Sequence, residues 1–356
     1  MSESIQTKPA RVAYLDILRI IAAFAIVMIH ASTETMGNIS IDSSAWNAVN
    51  VYDSLSRWGV PVFVMISGAL FLEREHTYRK LFCRNILHMA IAYLFWSVFY
   101  AVVPYLRHPE MLDAKTVLKN FLDTNNYLWF LLMMIGIYLI VPMLKRIVEN
   151  EKIAWAFVIL FFVFAVFIPQ TVSLIKLGNE NAAEIINGPV KSLKMNFVLG
   201  FPGYFILGYL LHKNAIKKGV RITLYALGIL GAAITIVGTS LVIRYLQKTS
   251  VLFYDNFAMN VFFVSTAVFV AVKQICKNPM KTQKAADRLA FFSKCTFGVY
   301  LIHPILITFS VNMLHIDVYG WMPYISIPIF AVVIFAGSYL ISIVMNKIPI
   351  VKKWLV

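Results

Sequence analysis

Charge is what this chain of 356 residues has least of: Asp, Glu, Lys and Arg make up 14% of it, against 60% hydrophobic residues. A soluble domain carries roughly 25% charged and about 45–50% apolar residues. So few charges do not cover a water-facing surface, and the same figures exclude intrinsic disorder and a fibrous repeat. Three cysteines are too few for a disulfide scaffold. Cys and His show no metal-ligand spacing. No G-x-x-x-x-G-K-[ST] loop is present, so ATP-driven transport by this chain alone is not expected. Acid is scarcer than base, 17 residues to 32, for a net charge of +15. No aromatic-basic module accompanies that excess, so nucleic acid is not an expected partner. What remains is a polytopic membrane protein whose partner is the lipid bilayer.

A bilayer core needs about 20 apolar residues of helix. Segments of that kind fall near 12–32, 50–72, 84–106, 127–144 and 153–169, and again near 196–212, 222–243, 257–275, 291–313 and 321–345. The expected fold is all-α, a polytopic bundle of about ten transmembrane helices. The second and eighth spans begin among polar residues. No cleaved signal peptide is expected, because the first apolar run is too long and lacks a small-residue cleavage site. Residues 1–11 and 346–356 are expected as tails around one transmembrane domain at 12–345.

Lysine and arginine mark the cytoplasmic side. With both termini inside, cytoplasmic segments collect 22 of the 32 cations, among them Arg74, Arg79, Lys80, Arg84, Lys145, Lys281 and Lys294. Outer segments hold eight, and the loop 33–45 holds none. Cys83, Cys276 and Cys295 then fall at cytoplasmic span ends, where thiols stay reduced.

Ionisable residues inside apolar spans are costly and therefore informative. The first span carries Asp16, Arg19 and His30. Arg19 and His30, eleven apart, lie three turns apart on one face, about 16 Å along the axis. Asp16, three before Arg19, points the same way. A structural pair explains Asp16 and Arg19; a stripe facing a polar cavity explains all three. His303, with Tyr300 before it, and His88 are weaker candidates. Ser67-Gly68 reads as close helix packing. Asp53 and Arg57 read as an ordinary i,i+4 pair that could also touch a substrate.

These residues resemble the acyltransferase family 3 of integral-membrane proteins, over nearly the whole chain. Leu15-Asp16-Ile-Leu-Arg19 followed by ten residues and His30 is similar to its Arg-x10-His signature. Val60 to Gly68, Tyr127-Leu-Trp-Phe130 with Tyr138 and Pro142, Gly203 to Gly208, and Gly298 to His303 resemble its later motifs. Two positions depart from the pattern. Tyr127 stands where many relatives have histidine, and the third-helix pair of arginines is here Leu81 and Arg84.

The resemblance implies an O-acyltransferase that moves an acyl group, usually acetyl, from cytoplasmic acyl-CoA to a carbohydrate hydroxyl. Acyl-CoA is a co-substrate, and no permanently bound cofactor or metal is implied. The length is similar to the short branch that O-acylates surface or lipid-linked glycans, without an appended extracellular domain, in the bacterial inner membrane. His30 is expected as general base or acyl carrier and Arg19 as its catalytic companion. Asp16 would orient Arg19, and Tyr300 and His303 are candidate donors to the thioester oxyanion. Arg84, Arg79 and Lys80 are expected on the CoA phosphates. A proton-coupled carrier or glycan exporter also places Arg, Asp and His at mid-membrane. The second half holds no repeat of the Asp-Leu-Arg-x10-His pattern, which favours the enzyme.

Overall fold

The computed structural model describes residues 12–356 except 35, 37–38, 75–76, 104–112, 124, 193–199, 279 and 281. The expected tail 1–11 and Lys281 lie outside the described residues. The described residues form helices and no strand, as the composition requires: in lipid, a helix satisfies every backbone polar group within itself. In chain order they are α1 (Ala13–Thr33), α2 (Ser44–Ser54), α3 (Gly59–Glu73), α4 (Tyr78–Val102) and α5 (Ala114–Asp123). Next come α6 (Asn125–Glu149), α7 (Glu151–Gly178), α8 (Glu180–Ser192), α9 (Phe201–Lys213) and α10 (Lys218–Leu246). The last are α11 (Met259–Ile275), α12 (Gln283–Asn312), α13 (Pro323–Met345) and α14 (Pro349–Trp354).

Eight of the ten expected spans are helices long and apolar enough to cross a membrane, with α2 and α3 together making one of them. The other two are shorter: α9 has 13 residues and α11 has 17. α9 is also packed differently from the rest. Every residue from Gly203 to Leu211 is buried, so its all-round hydrophobicity belongs to a core helix rather than a lipid-facing one. It packs most closely on α3. A methyl group at Gly68 would collide with the Phe205 carbonyl, and one at Gly208 with backbone atoms of Met65. The Ser67-Gly68 and Gly203–Gly208 motifs are thus two sides of one close contact, as small residues allow. Outward faces such as that of α4, with Leu94, Phe95, Val98 and Phe99, remain exposed and apolar.

Side chains tie alternate helix ends together. At one end, Tyr14 bonds His212, His212 faces Glu73 at 3.3 Å, and Lys145 donates to the Arg74 carbonyl. There Lys273 caps the end of α9 through the carbonyls of Leu211, His212 and Asn214 at 2.7–2.9 Å. At the other end, the Tyr319 hydroxyl donates to the Ser32 carbonyl at 2.7 Å, and Arg244 meets Asp42 at 3.4 Å. The first set lies in the segments expected inside and the second in those expected outside. We call them the cationic and the opposite end. The C-terminal segment is not a loose tail: α14 forms, and Trp96 of α4 donates to the Leu355 carbonyl at 3.1 Å.

Candidate functional site

α1 lies at the centre, in contact with α2, α3, α11, α12 and α13. Its interior face carries Arg19, Ile26 and His30, spaced so that they stack along one side of the helix. Arg19 lines a cavity of about 200 Å³ between α1, α3, α4, α6 and α12. Lys294 is also in its wall. Ile26, Phe63, Met89, Phe130, Met134 and Phe297 make the wall largely apolar, and Tyr300 closes it. Two helices contribute through residues four apart, Phe63 and Ser67 of α3 and Phe130, Met134 and Tyr138 of α6. On α12 the run is Ser293, Thr296, Phe297 and Tyr300.

One turn past Tyr300 stands His303, and one turn past Ile26 stands His30. Their rings meet with centroids 5.2 Å apart. The Tyr127 ring meets His30 edge-on at 5.3 Å. The Tyr300 hydroxyl donates to the Tyr127 carbonyl, and the Tyr127 hydroxyl reaches the Glu34 carboxylate at 3.4 Å. Glu34 follows the last turn of α1, and burial pushes its carboxyl above the ordinary value. His303 is fully buried; its Nδ1 faces the Val299 carbonyl at 3.1 Å. That bond places the proton on Nδ1, so in a neutral ring Nε2 presents a lone pair. Among the described residues that Nε2 has no partner.

The structure therefore brings Arg19, Tyr300, His303 and His30 of the sequence candidates together. Asp16, one turn before Arg19, is buried and also lines a second cavity, of about 460 Å³, with Tyr14, Lys273 and Lys277 near the cationic end. The single polar stripe expected on α1 thus faces two cavities. Arg79, Lys80 and Arg84 are exposed on the first turns of α4, outside the Arg19 cavity. Tyr300 has its hydroxyl proton committed to Tyr127, and His303 its ring proton to Val299.

Sequence reasoning did not single out Lys294, Glu34 or the wall residues Met89, Met134 and Phe297. Lys294 had a signal: it precedes Phe297 by three residues and Tyr300 by six, on the face that leads to His303. Arg57 pairs with Asp53, as expected.

Comparison with curated proteins and with solved structures returned no match. A family model described as an acyltransferase domain matches residues 12–345. With a histidine pair set beside a cavity in a membrane-type helical bundle, and with that match across most of its length, the chain belongs to the acyltransferase family 3.

Proposed function

We propose that this membrane acyltransferase moves an acyl group, acetyl in the first instance, from cytoplasmic acyl-CoA to a hydroxyl of a cell-surface or lipid-linked glycan. Its place would be the bacterial inner membrane. The observation that carries the reading is the cavity lined by Arg19 and Lys294, with the His30–His303 pair one turn beyond its wall residues Ile26 and Tyr300. An acyl-CoA is anionic at its nucleotide end, slender and weakly polar along its arm, and reactive at the far thioester. Cations at one end, aromatic and methionine walls between, and imidazoles beyond match that order.

The nucleotide itself is too large for the cavity. Arg79, Lys80 and Arg84 stand exposed on the helix that supplies Met89 to the wall, and they would take the phosphates outside it by charge-assisted hydrogen bonds. Arg19 and Lys294 would then hold the polar groups of the arm.

A sugar hydroxyl ionises far above neutral pH and needs a base to attack a thioester. Histidine suits that task because its ordinary pKa lies near neutrality. In direct transfer, the acceptor oxygen bonds to the carbonyl carbon while its proton passes to His30. Collapse then breaks the C–S bond, and the proton returns to the departing thiolate. In the two-step variant, His30 attacks the carbonyl carbon and the C–S bond breaks, releasing the thiolate; the acceptor oxygen then takes the acyl group as the C–N bond breaks, and its proton ends on the thiolate. His303 in ring contact would fix the His30 ring in place.

Purified protein in detergent, given acyl-labelled acetyl-CoA and a glycan acceptor, tests the reading. Label appearing as an ester on the glycan is the expected result. Glycan flux through reconstituted vesicles with no ester formed would replace the enzyme by a carrier.

A further inference from the structure

We propose that Arg57 is a catalytic residue of that same reaction, supplying the N–H donor that receives the negative charge developing on the thioester carbonyl oxygen beside His30. The proposal rests on the acyl-transfer reading above, and its geometry is independent of the donor cavity.

Arg57 occupies a break at 55–58 between α2 and α3, within what is otherwise one membrane-length helical segment. Just beyond the break the chain touches α1 closely. A Cβ at Gly59 would lie 3.2 Å from the Ala22 carbonyl oxygen, Ala25 Cβ and Ile26 Cγ1. That is one turn from His30, and the Arg57 guanidinium is near enough for its charge to act on the imidazole. The guanidinium is held from two sides. Asp53, only 1% exposed, bonds one terminal nitrogen, and the Tyr254 ring lies 4.3 Å below the guanidinium carbon. Tyr254 in turn bonds Asn50, whose amide donates to the Ile236 carbonyl at 2.9 Å.

This is a poor design for packing alone. A buried ion pair is weak evidence of stability, because desolvation offsets the attraction. Structural pairs also satisfy their polar atoms. Here Asp53 Oδ1 and Arg57 Nε are both buried without a hydrogen-bond partner among the described residues. A guanidinium has five N–H donors, so one carboxylate contact leaves donors unspent. The side chain is still 24% exposed, unlike its partner Asp53. The sequence candidates for the oxyanion lack this freedom, since Tyr300 donates to Tyr127 and His303 donates to Val299.

The step balances without a co-reactant. As the acceptor oxygen bonds to the carbonyl carbon, its proton goes to His30 and the C=O electron pair moves onto oxygen, facing Arg57. On collapse the pair returns, the C–S bond breaks and His30 protonates the thiolate. Asp53 is then a positioning residue: it fixes the guanidinium before the substrate arrives, so little reorganisation is needed when the charge develops.

The test is a mutant cycle on purified protein with acyl-CoA and acceptor, read as kcat and as CoA affinity by calorimetry. Arg57→Gln should lower kcat by about 10²–10³-fold, the usual effect of losing one oxyanion donor, with CoA affinity unchanged. Arg57→Lys should recover part of the loss, because an ammonium keeps charge and a donor but not the planar fork. The double variant Asp53→Asn/Arg57→Gln, which leaves no buried charge unpaired, should stay as slow as Arg57→Gln. Recovery of turnover in the double variant would reduce the pair to packing and overturn the proposal. So would full kcat in Arg57→Gln, or a loss confined to CoA affinity. The double variant also gives the measurement if a single variant fails to fold. Wild-type turnover, run in parallel, separates the two claims: transfer by wild type and Arg57→Gln alike removes only the role of Arg57.

Discussion

Among single residues, His30 is the one on which the proposed transfer depends. It alone of the polar groups on α1 lies in ring contact with both His303 and Tyr127. His30→Ala should lower turnover by at least about 10²-fold, the usual general-base contribution. Insertion and folding should survive, since the change removes a polar group from a largely apolar setting. Turnover of purified His30→Ala near the wild-type value would remove the histidine from the chemistry. In the proposed reading, donor binding falls to other residues. Arg19→Ala and Lys294→Ala should each weaken acyl-CoA binding about ten- to a hundredfold, as expected for a charge-assisted contact worth about 1.5–3 kcal/mol. Calorimetry with unchanged affinity in both would place the arm of the donor elsewhere. Arg19→Lys should be impaired as well if the contact is bidentate.

At the scale of the element, the α3–α9 contact holds the site together, because α3 also bears Phe63, Ser67 and the Arg57 break. The close approach is backbone against backbone, with Gly68 over Phe205 and Gly208 over Met65. Neither carbonyl can yield by a rotamer change. Gly68→Ala should therefore cost stability at the upper end of the about 1–3 kcal/mol typical of overpacking, read as a lower melting temperature in detergent. Gly136→Ala is the matched control, since a Cβ there meets nothing within 4 Å. It should be neutral or stabilising, because alanine is the better helix former. Equal melting temperatures for the two variants would contradict the packing described. The sequence showed Gly68 as a packing residue from its type and neighbour alone. It could not show the partner, Phe205, which lies far along the chain.

The same division runs through the site. Arg19 and His30 are legible because charges inside an apolar run stand out and helical periodicity puts them on one face. Asp53 and Arg57 are legible as a pair, but the role proposed for them is not. It is argued from a helix break at 55–58 and from the Tyr254 ring, supplied by a segment distant in the chain. The hydropathy of 196–212 was equally ambiguous, since a core helix and a spanning helix have the same composition. Only the burial of Gly203 to Leu211 tells α9 apart.

At the scale of the whole molecule, the direction of the chemistry depends on which end faces the cytoplasm. The structure gathers Tyr14, Glu73, Arg74, Lys145 and His212 at one end and Ser32, Asp42, Arg244 and Tyr319 at the other. The excess of cations on the first end points inward by the positive-inside tendency. Single cysteines at Asp113, Lys145, Glu180 and Lys284, in a background without Cys83, Cys276 and Cys295, report this in intact cells. An impermeant maleimide should label positions 113 and 180 and spare 145 and 284. The reverse pattern would set Arg19 and Lys294 away from cytoplasmic CoA and end the transmembrane account.

The central claim is that an acyl group passes through this bundle from a donor at the cationic end to an acceptor at the opposite one. Protein reconstituted in one orientation into sealed vesicles tests it most directly. Acyl-labelled acetyl-CoA is supplied only on the side of Lys145, and a glycan acceptor only on the other. Ester-linked label on the acceptor, lost in His30→Ala while CoA binding persists, is the expected result. Label that reaches the acceptor only when both substrates share one side would contradict transfer across the membrane.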